Sequence, residues 1–229
     1  MAERILMNEY KALSKEEWVK IEPSEANILE WTVALIVTNE DSFYYGSYLK
    51  AKMTFPKNYP YSPPEFKFLR PLFHPNIYED GRLCISILHA PGEDAMSGES
   101  AAERWTPAQR VESVLLSIIS LLDDAECSSP ANVDAGVLLR KDLEAYKKRV
   151  KQDVDQSKND IPEGFVMPTM EHLNRRNLPE KADDPDFWMD SDEEHDFGGS
   201  DTDAEMTQES GGEEEDDGDK DEEEDEEDL

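Results

Sequence analysis

Most of the charge of this chain sits at one end, and that limits how much of it can fold. Residues 183–229 hold 26 of the 55 acidic side chains and one basic residue, Lys220, so they carry −25 of the net −32. A stretch so charged and so poor in apolar residues cannot bury enough surface to offset its chain entropy. It is expected to be a disordered acidic tail. The residues before it carry the other −7, an ordinary balance for one folded domain.

The rest of that region shows the periods of an α+β domain. Residues 2–13 place Leu6, Tyr10 and Leu13 on one helical face. Residues 31–37 are almost continuously apolar, as in a buried strand. Residues 48–55 alternate, with Leu49, Ala51, Met53 and Phe55 expected inward and Tyr48, Lys50, Lys52 and Thr54 outward. Residues 65–69 repeat this through Phe66 and Phe68, so the three strands are expected to form an antiparallel meander. Residues 58–64 contain three prolines, which exclude helix and predict a stiff turn. Residues 70–104 have no period, and a long irregular loop in a compact domain is usually functional. Thr106-Pro107 reads as a helix start, with Gln109 placed for a capping box and Val111, Leu115, Ile118 and Leu122 on one face. A last amphipathic helix is expected through Leu143, Tyr146, Val150 and Val154.

Acidity argues against nucleic acid, whose phosphates require clustered Lys and Arg, and favours a basic protein surface as partner. Two cysteines, Cys84 and Cys127, are too few for a disulfide framework and fit a reducing compartment. The first 20 residues lack the apolar centre of a signal peptide. The longest apolar stretch, 114–122, is interrupted by Ser117 and Ser120 and falls far short of the roughly 20 residues that span a bilayer. A soluble intracellular protein without a membrane segment is the expectation. Four histidines and two cysteines are scattered without ligand spacing, so no metal is expected.

The irregular loop carries His74-Pro75-Asn76 and, eight residues after Asn76, Cys84. A thiol accepts an acyl group, and an amide side chain can hydrogen-bond the oxyanion formed when an amine attacks that acyl carbon. Pro75 restricts φ and Gly81 permits a turn that brings the two together. Two other readings stand beside this one: Cys84 as a small buried hydrophobe, and a cysteine protease using His74 or His89 as base.

Tyr59-Pro60-Tyr61-Ser62-Pro63-Pro64, His74-Pro75-Asn76, Cys84, Trp105 and Ser129-Pro130-Ala131-Asn132 resemble, in order and spacing, the ubiquitin-conjugating (UBC) family. The resemblance covers about residues 2–157. It implies a UBC core at 1–157, an extension at 158–182 and the tail at 183–229. The implied fold is an N-terminal helix, a four-stranded antiparallel meander, an active-site loop and C-terminal helices. Position 62 is Ser where most members are basic, and position 86 is Ser where an acid is common. An acidic insertion, roughly 90–104, brings Glu93, Asp94, Glu99 and Glu103. With the tail, these features resemble the branch serving SCF (Skp–cullin–F-box) ligases in the cell cycle, its fungal members especially.

The resemblance implies that Cys84 bears the thioester, Asn76 stabilises the oxyanion and His74 is structural. Ser129 falls where many members place an acid at the mouth of the site, so the acidic insertion becomes the candidate for guiding a lysine. Pro60, Tyr61, Trp105, Pro107 and Ala108 match loops that contact RING domains. The tail, with Phe187 and Trp188 as apolar anchors among acids such as Asp190 and Asp192, is expected to dock on a basic groove of cullin. The implied partners are ubiquitin, its activating enzyme, and the RING and cullin subunits. No bound cofactor is expected, since ATP is used by the activating enzyme. The enzyme is expected to be a monomer of cytoplasm and nucleus. The rival function is a non-catalytic UBC-like binding protein whose tail binds basic proteins.

Overall fold

Alternation of apolar and polar residues organises the sheet in the computed structural model, which describes residues 2–92 and 99–169. Four strands, β1 (Val19–Pro23), β2 (Glu30–Ile36), β3 (Tyr48–Thr54) and β4 (Glu65–Phe68), pair in chain order, each antiparallel to the next. Val33 pairs with Ala51 and Met53 with Phe66, so inward residues of neighbouring strands stack on one face. Helix α1 (Ala2–Leu13) precedes the sheet. The helices α2 (Val111–Asp123), α3 (Val133–Lys141) and α4 (Leu143–Ser157) follow it. The core gathers Leu6 and Leu13 of α1, Trp31, Val33, Leu35, Ala51 and Met53 of the sheet, and Val114, Leu115 and Ile118 of α2. Tyr146 and Val150 of α4 join it. Among the described residues no helix is long and apolar enough to cross a membrane.

The residue pattern alone missed β1. Of its five residues only Val19 is fully buried, and Pro23 closes it, as suits an edge strand with one unpaired side. Helix α3 was missed too: its nine residues bury only Ala135 and Gly136, too few to show a period. Leu143, expected on the packed face of α4, is 42% exposed because it sits in the first turn.

The expected outward position of Tyr48 is overturned: it is 3% exposed. Together with Ala34 and Ile36 it forms a second apolar cluster on the outer sheet face, covered by Ile161, Phe165 and Met167. The Phe165 ring meets Tyr48 edge-on at 5.6 Å, and Lys20 Nζ lies 5.3 Å over the Phe165 ring. Packing therefore continues past residue 157, along the first part of the extension.

Helix α2 begins at Val111, not at Thr106. Residues 106–109 instead close a turn in which Gln109 N–H donates to the Thr106 carbonyl at 3.0 Å. The first N–H of α2 is served from another element: the Glu9 carboxylate of α1 accepts the Val111 N–H at 2.6 Å and the Tyr59 hydroxyl at 2.8 Å. A negative group there complements the helix dipole and satisfies an otherwise orphaned donor. Burial raises the Glu9 pKa above the usual carboxylate range, against the lowering effect of both hydrogen bonds. One side chain thus ties α1, the proline turn and α2 together.

Candidate active site

Backbone pairing folds the loop after β4 back on itself and sets Cys84 opposite Asn76. Ile77 bridges Leu83, Tyr78 N–H donates to the Arg82 carbonyl at 2.8 Å, and Cys84 N–H donates to the Asn76 carbonyl at 2.9 Å. The turn between them needs Gly81, whose φ is +90°. A Cβ there would stand 2.3 Å from the Phe68 carbonyl oxygen of β4. Gly81→Ala is expected to cost about 2 kcal/mol or more from backbone conformation and displacement, or roughly 4–8 °C of melting temperature in a domain of this size. An unchanged thermal melt would contradict this.

The His74-Pro75-Asn76 segment is buried and makes contacts in three directions. His74 is sealed in the core, and its Nδ1 accepts the Asn76 N–H at 3.0 Å. Burial pulls its pKa down to about 4, only partly opposed by the Leu121 carbonyl, so the ring is neutral near pH 7. Sealed and already bonded, it is not a base for Cys84. The Pro75 carbonyl accepts the Asn132 N–H at 2.8 Å. Asn76, 2% exposed, bonds the Glu126 backbone twice: Nδ2 donates to the carbonyl and Oδ1 accepts the N–H, both at 2.9 Å. Segment 126–132 is thereby drawn to the turn that carries Cys84. Ser129 lies exposed between the two ties, and Cys127 is half-buried beside it.

Residue-level reasoning missed Tyr78. Its phenol stands beside Cys84, whose charge raises its pKa, with partial burial and a hydrogen bond to Cys84 adding to the shift. Arg82 lies 5.4 Å over the Tyr78 ring. The signal was available, because Tyr78 and Cys84 are both in the hairpin that Gly81 permits, but an aromatic in an aperiodic loop does not reveal which way it faces. A shallow groove of about 500 Å³ next to Tyr78 is walled by Glu79, Asp80, Asn132 and Val133.

The other candidate residues divide. Ser86 donates its hydroxyl to Glu99 at 3.0 Å. Glu103 is exposed and accepts the Ser100 N–H at 3.2 Å. Glu93 and Asp94 lie outside the described residues, as do Phe187, Trp188, Asp190 and Asp192. Ser62 accepts from Asn58 Nδ2 at 2.7 Å inside the proline turn. Pro60, Pro107 and Ala108 line a groove of about 670 Å³ with Ile5, Asn8 and Ala12 of α1. Tyr61 is 62% exposed in the same proline turn. Trp105, expected among the surface contacts, is fully buried, and its Nε1 donates to the Pro60 carbonyl at 2.7 Å. It supports this surface from beneath. Among the described residues no group of His, Cys, Asp and Glu is placed to hold a metal.

A family model described as ubiquitin-conjugating enzyme matches residues 5–154. The chain is 48% identical over 212 residues to the ubiquitin-conjugating enzyme E2-34 kDa of Saccharomyces cerevisiae, covering 87% of this chain and 71% of that protein. It is 48% identical over 155 residues to ubiquitin-conjugating enzyme E2 G2 of Homo sapiens, covering 66% of this chain and 93% of the relative. Over 133 residues it is 50% identical to ubiquitin-conjugating enzyme E2 7 of Arabidopsis thaliana, covering 58% and 80%.

Proposed function

The chain belongs to the ubiquitin-conjugating enzyme family, and we propose that it carries ubiquitin on Cys84 and works with SCF ligases to build degradation-signal chains. The observation that supports this most is Cys84 itself: half-exposed, backbone-paired to Asn76, and beside Tyr78. In the first step the Cys84 thiolate attacks the thioester carbonyl of ubiquitin on the activating enzyme, and that enzyme's thiolate leaves. In the second, a lysine amine attacks the new thioester, a tetrahedral oxyanion forms, and the Cys84 thiolate departs as the isopeptide bond closes. The lysine must first lose a proton, which passes to solvent water, and the exposed Ser129 hydroxyl is suited to hydrogen-bond the resulting neutral amine. The chain needs no bound cofactor, because ATP is spent upstream by the activating enzyme. It acts as a monomer in cytoplasm and nucleus.

The groove formed by α1, Pro60, Pro107 and Ala108 suits a RING domain: it is partly apolar, and Trp105 and Glu9 hold its walls in place. The relative in Saccharomyces cerevisiae matches over most of this chain, including part of the acidic region. Residues 183–229, with −25, suit a basic cullin surface, and charge of this kind chiefly accelerates encounter. Removing them is expected to lower the association rate with a cullin–RING complex by roughly 10- to 10³-fold at low salt. The gap should narrow as salt shortens the Debye length to about 8 Å near 0.15 M. Phe187→Ala with Trp188→Ala should mainly raise the dissociation rate, since apolar anchors act after encounter. Stopped-flow binding at several salt concentrations checks both. A tail-less protein with the wild-type on-rate and salt slope would remove cullin docking from this account.

A further inference from the structure

Where the acidic insertion re-enters the described structure, one carboxylate joins three separate groups. Glu99 Oε1 accepts the Ser86 hydroxyl at 3.0 Å. Both of its oxygens lie within hydrogen-bond reach of His89 Nδ1, at 2.9 and 2.8 Å. Arg104 Nε stands 3.4 Å from Oε2. The Glu99 and Arg104 side chains are 19% and 13% exposed and that of His89 34%, so the cluster sits at the edge of the domain with solvent on one side. Burial works to raise the Glu99 pKa, but the hydrogen bonds from His89 and Ser86 and the charges of His89 and Arg104 outweigh it and hold the carboxyl below its ordinary range. Glu99 is ionised and fully engaged, which distinguishes it from the exposed Glu103.

Its partners flank the reactive cysteine. Ser86 opens a short 3₁₀ turn, Ser86–Leu88, two residues after Cys84, and His89 closes it by donating its N–H to the Ser86 carbonyl at 2.9 Å. The His89 carbonyl in turn accepts the Trp105 N–H at 3.1 Å. Cys84 is thus held on one side through its N–H to Asn76 and on the other through a short turn whose two ends both bond Glu99. We propose that Glu99 is a positioning residue for acyl transfer: by gripping Ser86, His89 and Arg104 together it fixes the orientation of the loop that presents Cys84. This rests on Cys84 as the thioester carrier. It assigns Glu99 a different part from steering the lysine, because a carboxylate already hydrogen-bonded to Ser86 and His89 and ion-paired with Arg104 is poorly placed to hold an incoming ammonium.

The test is single-turnover discharge of the full-length, ubiquitin-charged protein to free lysine, across a range of lysine concentrations. Glu99→Ala is expected to lower the limiting rate by about 10- to 10²-fold, the range for small misplacement of a reacting group. The half-saturating lysine concentration and the melting temperature should stay near wild type, because Glu99 lies outside the sheet–helix core. Glu99→Gln, which keeps an acceptor oxygen for Ser86, should recover most of the rate. Ser86→Ala added to Glu99→Ala should slow discharge no further, since coupled partners are not additive. Four outcomes overturn the proposal. A raised half-saturating concentration at an unchanged limiting rate would make Glu99 a direct steering charge. Charging, discharge and melting temperature falling together would make it only a fold residue. Additive loss with Ser86→Ala would separate the two side chains, and a wild-type discharge rate would leave Glu99 without a part. A wild-type protein that never charges overturns the function itself, a different failure that the charging step reveals first.

Discussion

Cys84→Ala is expected to abolish ubiquitin transfer, and Cys84→Ser to leave a slowly formed adduct that thiols do not cleave. These are the largest effects the site implies. A serine hydroxyl is a weak nucleophile at its free pKa, while a thiol supplies some thiolate near neutral pH. The oxyester formed by serine is also a poorer acyl donor to amines than a thioester, so the adduct accumulates without discharging. Neither change should disturb the fold, because the anchoring bond of residue 84 is its backbone N–H to Asn76, which any residue but proline retains. Intact-protein mass with and without reductant reads the result directly. Lysine conjugation by a Cys84→Ala protein would contradict the assignment.

Asn76→Ala is expected to slow discharge to lysine by about 10²–10³-fold, the usual cost of losing one oxyanion donor. An asparagine amide carries two N–H bonds, and one of them is committed to the Glu126 carbonyl. The second is the one an oxyanion beside Cys84 would use. The same substitution removes both bonds to the Glu126 backbone, leaving polar groups to find other partners at about 1–3 kcal/mol of stability. The two roles separate in the kinetics. An oxyanion donor affects discharge far more than charging, while a clamp alone slows both in step with the fall in melting temperature. Equal slowing of the two steps would leave Asn76 only the clamp.

Much of this was legible because it is local. The alternation through Leu49, Ala51 and Met53 is a period of two that the pleat enforces, and β3 buries those residues as expected. The juxtaposition of Asn76 and Cys84 followed from a proline and a glycine at the right places, and the hairpin provides it. What was not legible depends on distant partners. Tyr48 reads as a solvent-facing position until Phe165, 117 residues later in the chain, covers it. Thr106-Pro107 has good local chemistry for a helix start, yet α2 begins at Val111, where Glu9 meets its first N–H. Trp105 sits in a loop beside the groove along α1, but its indole fills the space beneath Pro60. Glu99 was read as one acid among four, and only folding distinguishes it, by bringing Ser86, His89 and Arg104 to it.

The central claim is that one cysteine of this chain bears ubiquitin as a thioester. A single charging reaction tests it most directly: the full chain, activating enzyme, ATP and ubiquitin, resolved with and without reductant and mapped by peptide mass. The account predicts one ubiquitin per chain, lost on reduction, located on Cys84 and unaffected by Cys127→Ser. Absence of any adduct, or an adduct that maps to Cys127, would contradict it.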